Sequence, residues 1–311
     1  MRARPDGVTD ADLLAVLAAG WGLADVRLRY TPVGAGSYHW TAGRFFVTVD
    51  DLDDKPWLGS GRESVLAGLR AALDVALSLA GLPFVLAPIP ASTGQCAERL
   101  GERYAVTVFP YLDGAAGTWG AYPSARERAE VLDLLAVLHS AAVTGPPRPV
   151  SLPGSAALHA LLDDPLSAGG PYAAEIRTLL TEAAPVIRGL LADFGRLAVG
   201  FDALPKVITH GEPHPGNIIR TATGPVLIDW DTVGLAPPER DLWFLAEDDA
   251  SAGFARYQAA TDYRPAPAAV ELYRLRWRLD DISAYLTSLL RASRPTADTA
   301  HALTALHALT R

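Results

Sequence analysis

The chain has 311 residues and a formal net charge of −8, and 50% of its residues are hydrophobic. This length is enough to bury the core of one large domain or two medium ones. The single cysteine, Cys96, excludes a disulfide scaffold and a zinc site built from paired thiolates, and an acidic chain without a Lys/Arg cluster favours a cationic ligand over a nucleic acid.

The first third of the chain predicts a small, mostly antiparallel sheet with one or two helices. A first helix begins at Thr9 or Asp10. A second begins at a capping box formed by Ser60 and Glu63 and runs to about residue 80. Alternating apolar residues predict strands over residues 26–31, 37–41, 44–50, 92–99 and 104–109.

The rest of the chain predicts helices that are interrupted by a strand-rich insert over residues 207–230. A second capping box, Ser124 with Glu127, opens a helix. A helix over residues 172–194 contains Pro185, which predicts a kink or a break. Further helices are predicted over residues 267–292 and from residue 296 onward.

The sequence contains no pattern typical of export or membrane insertion. The N-terminal residues lack an apolar core of signal-peptide length, and no window reaches about 18 uninterrupted apolar residues. We therefore expect a cytoplasmic protein with no membrane contact, and nothing indicates an obligate protein partner.

The strand-rich insert carries polar side chains at the ends of two apolar strands. His210, Glu212 and Asn217 follow the first strand, and Asp229 and Asp231 follow the second. A hairpin between the strands would bring a glutamate, an asparagine and an aspartate together. Carboxylate and carboxamide oxygens are ligands that suit Mg²⁺.

The pattern His-Gly-Glu-x-x-x-x-Asn, followed by Ile-Asp-Trp-Asp, resembles the catalytic signature of the aminoglycoside phosphotransferase and choline kinase superfamily. Three further segments resemble parts of the same family: residues 106–114, residues 135–140, and residues 237–243. Asp241, in the last of them, could cap a helix or brace the catalytic loop. The resemblance implies an α+β, bilobal protein-kinase-like fold. Its small antiparallel-sheet lobe would bind nucleotide over residues 1–109, and its larger helical lobe would cover residues 110–311.

The resemblance also implies a role for each matching residue. Glu212 stands at the position of the catalytic carboxylate, and His210 would organise the loop. Asn217 and Asp229 would hold the Mg²⁺ ions that bridge the phosphates of ATP, or of GTP. The nucleotide would be bound by Gly34, Gly36, Ser37, Lys55 and Glu63, and by the backbone at Val108, Pro110 and Tyr111.

Two departures from the family pattern concern charged groups of the site. The catalytic carboxylate belongs to a glutamate instead of an aspartate, a change that keeps a similar intrinsic pKa of roughly 4.3 against 3.9. Thr48 stands where the family has a lysine on a strand. Lys55 could reach the phosphates in its place and pair with Glu63, while Arg44 and Arg62 are competing candidates.

Acidic and aromatic residues of the predicted helical lobe indicate a cationic acceptor. Asp280 and Asp281 lie with Trp277 in an otherwise apolar-aromatic helix, so one of the two carboxylates is expected to face inward. Asp231 could support the loop or meet the substrate. The residues that could supply aromatic walls for an ammonium group are Tyr111, Trp119 and Trp243.

These features predict an antibiotic phosphotransferase that confers resistance. The expected acceptor is an aminoglycoside, an aminocyclitol or a basic peptide of the viomycin and capreomycin type. A kinase for a small metabolite such as choline or homoserine, and a non-catalytic nucleotide-binding module, stay open. His210, Glu212 and His214 also suggest a metal hydrolase, although Pro213 and Pro215 prevent the regular helix that zinc proteases use.

Overall fold

The computed structural model describes residues 1, 3–34, 36–120, 122–165, 169–246 and 254–311. They form two compact units, Met1–Arg148 with Pro205–Arg264, and Pro149–Leu204 with Pro265–Arg311. The lobe boundary after residue 109 stays a prediction. Among the described residues, no helix has both the length and the apolar character that a membrane span requires.

Of the elements in the described part of the chain, the first unit contains all of the strands and five α-helices. In chain order these are α1 (Asp10–Trp21), β1 (Leu28–Thr31), β2 (Ser37–Ala42), β3 (Phe45–Asp51), α2 (Arg62–Ser78), β4 (Ala97–Leu100), β5 (Tyr104–Pro110), β6 (Ala115–Ala116) and α3 (Ala125–His139). The second unit interrupts it with α4 (Ser155–Asp163) and α5 (Ala173–Ala198). The first unit then resumes with β7 (Val207–Thr209), β8 (Ile218–Thr221), β9 (Gly224–Leu227), β10 (Gly234–Ala236), α6 (Glu239–Leu242) and α7 (Ala255–Thr261). The last helices, α8 (Pro267–Arg291) and α9 (Ala297–Leu309), belong to the second unit.

The N-terminal part of the first unit is a five-stranded antiparallel sheet in the order β1-β2-β3-β5-β4. Successive side chains of a strand point to opposite faces. Val47 and Val49 of β3 therefore share one face, where they join Leu13 and Leu17 of α1 in a buried core. The other face is covered in part by α2, which packs beside Phe109 of β5.

The start of α2 differs from the prediction. The helix begins after Gly61, which has a φ of 81° and provides no side-chain cap. The predicted capping box of Ser60 and Glu63 is wrong, because the chain turns into the helix one residue later. The Glu63 carboxylate instead accepts a hydrogen bond from Arg99 Nη2 at 2.6 Å.

Two smaller sheets complete the first unit. β8 and β9 form an antiparallel hairpin with β6 along β8, and β7 pairs with β10. The segments after β7 and β9 are tied together where the N–H of Ile228 donates to the carbonyl of Asn217 at 3.0 Å. Ser124 caps α3 by accepting a hydrogen bond from the N–H of Glu127 at 3.2 Å, which is one half of the predicted capping box. The Glu127 carboxylate instead accepts a hydrogen bond from Arg220.

The second unit is a group of four helices around one apolar core. α5 continues through Pro185, so the predicted break does not occur. Apolar residues on both sides of the proline, Ala183 and Ile187, are buried in the core and hold the two halves of the helix in place. The other core residues include Leu158, Ile176, Leu180, Leu279, Ile282, Leu286 and Leu306.

Candidate active site

The loop after β7 is organised around the buried imidazole of His210. Its Nε2 lies 2.8 Å from the carbonyl oxygen of Ile228, and its Nδ1 lies 3.2 Å from the backbone nitrogen of Glu212. A carbonyl only accepts and an N–H only donates, so these bonds assign the single proton to Nε2. Burial lowers the pKa of His210, in agreement with a neutral ring. Both ring nitrogens are engaged, so the geometry does not support the predicted zinc-hydrolase alternative.

The buried carboxylate of Asp241 fixes the backbone of this loop. It accepts hydrogen bonds from the N–H groups of His210 at 2.7 Å and Gly211 at 2.6 Å, and it lies 3.0 Å from His139 Nε2. Burial disfavours its charge, but His139 and the nearby Arg240 outweigh that effect and hold the pKa of Asp241 below its usual value. Asp241 therefore braces the loop in its ionised form.

Gly211 is required by both its backbone conformation and its neighbours. Its φ is 101°, a region that residues with a Cβ rarely adopt. A Cβ would overlap the guanidinium of Arg240 and lie 2.5 Å from Thr232 Oγ1. That guanidinium donates to Thr209 Oγ1 and to the carbonyl of Thr232, and Thr232 Oγ1 donates to the carbonyl of His210 at 2.8 Å. The glycine allows this network to close on the loop.

Glu212 is half-buried at the end of the braced loop. Burial, together with the carboxylates of Asp229 and Asp231, raises its pKa to about 8, although Arg240 and Lys55 act in the opposite direction. The arginine and the lysine therefore do not offset the combined effect of burial and the two carboxylates at this site. A cation that enters it would favour the ionised form of Glu212, which is the form that can accept a proton.

The two predicted metal ligands flank Glu212. Asn217 donates from Nδ2 to the carbonyl of Glu212 at 3.0 Å, a bond that uses only the amide nitrogen. Asp229 has a φ of 65°, and Asp262 is the one other non-glycine residue with a positive φ in the described part of the chain. The side chain of Asp229 reaches solvent, while burial by the surrounding protein and the carboxylate of Asp231 raise the pKa of Asp229. Strained backbone of this kind concentrates at functional sites.

This pair of oxygen donors fits Mg²⁺. The ion is commonly held by one or two protein ligands, and it completes its shell with phosphates and water. Within the described ranges, no group of three or more His, Cys, Asp and Glu side chains is placed to hold a metal. A metal at this position would therefore depend on the nucleotide for part of its coordination.

The structure places Lys55 differently from the prediction. Its side chain is only 3% exposed, and Nζ lies 2.6 Å from Asp231 and 3.0 Å from Asp50. The predicted pair between Lys55 and Glu63 is wrong, because the side chain of Glu63 is 88% exposed and pairs with Arg99 on the surface.

The other residues considered for binding the phosphates of the nucleotide also contact neighbouring side chains. Thr48 lies in the middle of β3 with its hydroxyl 3.3 Å from His39 Nδ1. Arg62 forms a two-bond ion pair with Asp53. The Arg44 guanidinium lies over the ring of the next residue in the chain, 5.2 Å from its centroid.

The glycine-containing turn joins β1 to β2. Gly34 and Gly36 have φ values of 68° and 83°. A Cβ at Gly36 would meet no atom within 4 Å, so backbone conformation and not crowding accounts for this glycine. Ser37 follows as a buried residue at the start of β2, where its hydroxyl donates to Asp50 Oδ1 at 2.6 Å.

The segment predicted to receive adenine begins on β5. Val108 is fully buried, and its carbonyl accepts a hydrogen bond from Ile89 at 2.8 Å. Pro110 and Tyr111 are exposed, and the N–H of Tyr111 donates to the carbonyl of Arg44 at 2.9 Å. The structure thus places an accessible segment directly after the central sheet.

An aromatic cluster lies against the loop after β7. Trp119 is 55% exposed and packs its ring edge-on against His214, with the centroids 4.6 Å apart. Phe244 contacts both of these rings, and it lies 3.9 Å from Trp243. Burial lowers the pKa of His214 to about 4, so this ring is neutral. The structure places Trp119 and Trp243 in one cluster with His214 and Phe244. The role of the two tryptophans as aromatic walls stays a prediction.

The remaining predicted substrate residues, Trp277, Asp280 and Asp281, lie on α8 in the second unit. Asp280 forms an ion pair with Arg276 at 3.0 Å. Burial and the charge of Asp280 raise the pKa of Asp281 to about 7. The participation of these residues in the site stays a prediction.

Comparisons with known proteins show the family and the fold of the chain. The sequence model of a family described as the phosphotransferase enzyme family, APH, matches residues 39–273. Protein StrN of Streptomyces griseus is 31% identical over 282 residues, which cover 84% of this chain and 79% of StrN.

Two solved structures share the fold at 15% identity. The spectinomycin phosphotransferase APH(9)-Ia, in complex with ADP and spectinomycin, has a TM-score of 0.69 and an alignment that covers 98% of both chains. The choline kinase LicA of Streptococcus pneumoniae has a TM-score of 0.54, with 97% of this chain and 98% of that one covered. The predicted α+β, protein-kinase-like fold is confirmed.

Proposed function

The chain belongs to the phosphotransferase enzyme family, and we propose that it transfers the γ-phosphoryl group of ATP to a hydroxyl group of a small cationic molecule. The observation that carries the proposal is the braced loop after β7. Its Glu212 carbonyl is bound by Asn217, whose own carbonyl is bound by the residue preceding Asp229. The three functional groups of the family signature are thereby linked through two hydrogen bonds.

Each of these groups has a distinct part in the proposed reaction. Glu212 orients the acceptor hydroxyl and takes its proton as the new P–O bond forms. Asn217 and Asp229 would hold Mg²⁺, which when bound neutralises charge on the transferred phosphate. The turn at Gly34 and Gly36 lies at the start of β2, where its backbone N–H groups could bind phosphate oxygens. The segment from Val108 through Pro110 to Tyr111 would receive the base of ATP, or of GTP.

The electrostatics of the loop support a cationic acceptor. Burial raises the pKa of Glu212, the carboxylates of Asp229 and Asp231 raise it further, and a cationic group nearby would favour the ionised carboxylate. The neighbouring cluster of Trp119 and Phe244 offers aromatic faces, which attract ammonium groups.

An aminoglycoside, an aminocyclitol or a basic peptide antibiotic satisfies these requirements, since each carries amines and free hydroxyls. Phosphorylation of such a compound would confer resistance. Because ATP supplies the phosphate, we expect the enzyme to act in the cytoplasm. Kinase activity toward a small amino alcohol such as choline is the second candidate, since the exposed tryptophan of the cluster also suits a single ammonium group.

A coupled assay of ADP release tests the proposal. The panel contains aminoglycosides, spectinomycin, viomycin, capreomycin, choline and homoserine. Asp229→Asn is expected to lower kcat by about 100-fold or more, because it weakens charge stabilisation of the transferred phosphate. Asp262→Asn is the matched control, because this aspartate is also exposed and has a φ of 56° at the end of α7.

The outcomes separate the candidates. Acceptor-dependent ADP release that is lost in Asp229→Asn and kept in Asp262→Asn supports the proposal, and the active compound identifies the substrate class. Wild-type rates in Asp229→Asn would contradict the metal role. If the protein binds ADP but releases none from ATP with any acceptor of the panel, a non-catalytic nucleotide-binding module is favoured.

A further inference from the structure

Lys55 lies at the centre of a buried polar cluster that spans three segments of the first unit. Its ammonium group contacts Asp50 of β3 at 3.0 Å and Asp231, after β9, at 2.6 Å. It also lies 3.3 Å from the hydroxyl of Ser37, which directly follows the glycine turn. One cation therefore joins the sheet, the turn and the segment that carries Asp229.

Arg148 provides a second connection between the segment around Lys55 and the segment after Asp229. Arg148 donates to the carbonyl of Trp57, two residues after Lys55, at 3.0 Å. The same guanidinium donates to the carbonyls of Asp231 at 3.2 Å and Val233 at 3.1 Å. The segment around Lys55 and the segment after Asp229 are thus held together by both a side-chain ion pair and a set of backbone contacts.

The cluster holds the lysine firmly. Burial disfavours the ammonium form, but the carboxylates of Asp231, Asp50 and Asp229 outweigh it and raise the pKa of Lys55. To reach a phosphate, the ammonium group would have to leave two carboxylates that are themselves buried. An unpaired buried carboxylate is costly, which favours a lysine that stays in place.

We propose that Lys55 is a positioning residue: by bridging Asp50 and Asp231, it fixes the segment that carries the metal ligand Asp229, and it does not bind the phosphates of the nucleotide. This inference rests on the proposed function only for the identity of the ligand, ADP with Mg²⁺. All of the contacts of the cluster described above are made within the protein, so its contribution to stability can be measured separately from nucleotide binding.

The test uses the full-length protein with Lys55→Met, Asp231→Asn and the double variant. Lys206→Met is the matched control, because Lys206 is the other lysine of the sequence and is exposed. Thermal unfolding is followed without nucleotide. ADP binding is then measured by calorimetry, once in EDTA and once with Mg²⁺.

For a positioning residue, Lys55→Met lowers the unfolding midpoint by about 5–10 °C, since it leaves two buried carboxylates without their cation. The double variant loses less stability than the sum of the losses in the two single variants, because the two residues share one interaction. Binding of ADP in EDTA is unchanged. The gain in ADP affinity that Mg²⁺ provides falls about 10-fold in both single variants, as expected when a residue that orients a metal ligand is lost.

A phosphate ligand gives the opposite pattern. Lys55→Met would then weaken ADP binding in EDTA by about 10-fold, and Asp231→Asn would strengthen it by releasing the lysine. Either result overturns the inference. If Lys55→Met does not fold, Asp231→Asn alone decides through the sign of its effect in EDTA. If the wild-type protein binds no ADP, the proposed function fails, while the unfolding data still decide whether Lys55 and Asp231 act as one unit.

Discussion

Replacing Asp241 by asparagine removes the charge that braces the catalytic loop and changes almost nothing in side-chain size. The carboxylate accepts hydrogen bonds from two backbone N–H groups at 2.7 and 2.6 Å and lies 3.0 Å from His139. Asparagine has one acceptor oxygen, so its NH₂ group must face at least one of these donors. A backbone donor of the buried loop is then left without an acceptor.

The expected cost follows from these contacts. A hydrogen bond to a charged group contributes about 1.5–3 kcal/mol, and a buried donor left unpaired costs a similar amount. We therefore expect Asp241→Asn to destabilise the protein by about 2–4 kcal/mol, which lowers the unfolding midpoint by about 5–10 °C. Because Glu212 lies one residue after the braced backbone, kcat should also fall by about 10- to 100-fold.

Thermal unfolding and acceptor-dependent ADP release measure the two effects. Asp133→Asn is the matched control, since Asp133 forms an exposed ion pair with Arg256, and such pairs contribute about 0.2–1 kcal/mol. If Asp241→Asn unfolds at the same temperature as the control and keeps the wild-type kcat, Asp241 does not brace the loop and the reasoning is refuted.

Four further predictions concern separate features. Gly211→Ala should lower both kcat and the unfolding midpoint, because its Cβ overlaps the Arg240 guanidinium; circular dichroism melts and ADP release check this, and an unchanged variant would contradict the close contact. Because burial raises the pKa of Asp281 to about 7, the folded protein keeps a proton that the unfolded chain releases near pH 4. The Asp281 carboxyl therefore lowers the stability of the protein as pH rises from about 4 to about 7. Asp281→Asn should reduce this loss of stability in melts recorded across the same pH range. An equally steep loss in the variant would contradict the raised pKa of Asp281. EDTA should abolish phosphoryl transfer, and added Mg²⁺ should restore it in an activity titration. Full activity in EDTA would contradict a role for a divalent cation. Trp119→Ala should raise KM for a cationic acceptor and leave KM for ATP unchanged, and an equal effect on both would argue against an aromatic acceptor wall.

The catalytic loop could be predicted from the sequence because its functional groups lie close together along the chain. The segment from His210 to Asn217 carries three of them, and its flanking apolar runs predict the strands that present it. The hydrogen-bond inventory of each side chain is fixed by its type, so the neutral imidazole of His210 follows once its two neighbours are known.

The partners of Lys55 could not be predicted in this way. Asp231 is 176 residues away in the sequence, and no local pattern links the two. The family resemblance favoured Glu63, which lies on the expected helix but points to solvent and meets Arg99. The start of that helix was mispredicted for a related reason, since a capping-box pattern at Ser60 does not reveal a turn imposed one residue later. The positive φ of Asp229 likewise depends on the packing of two segments and has no signature in its own sequence.

The most direct test of phosphoryl transfer is to identify the product. The protein is incubated with Mg²⁺, with ATP whose γ-phosphate carries ¹⁸O, and with the acceptor that gave ADP release, and the acceptor is analysed by mass spectrometry. The account predicts an acceptor that gains one labelled phosphate ester with the wild-type protein and gains almost none with Glu212→Gln, which keeps the shape of the side chain and removes its ability to accept a proton. ADP release with unlabelled acceptor, or equal labelling by Glu212→Gln, would contradict it.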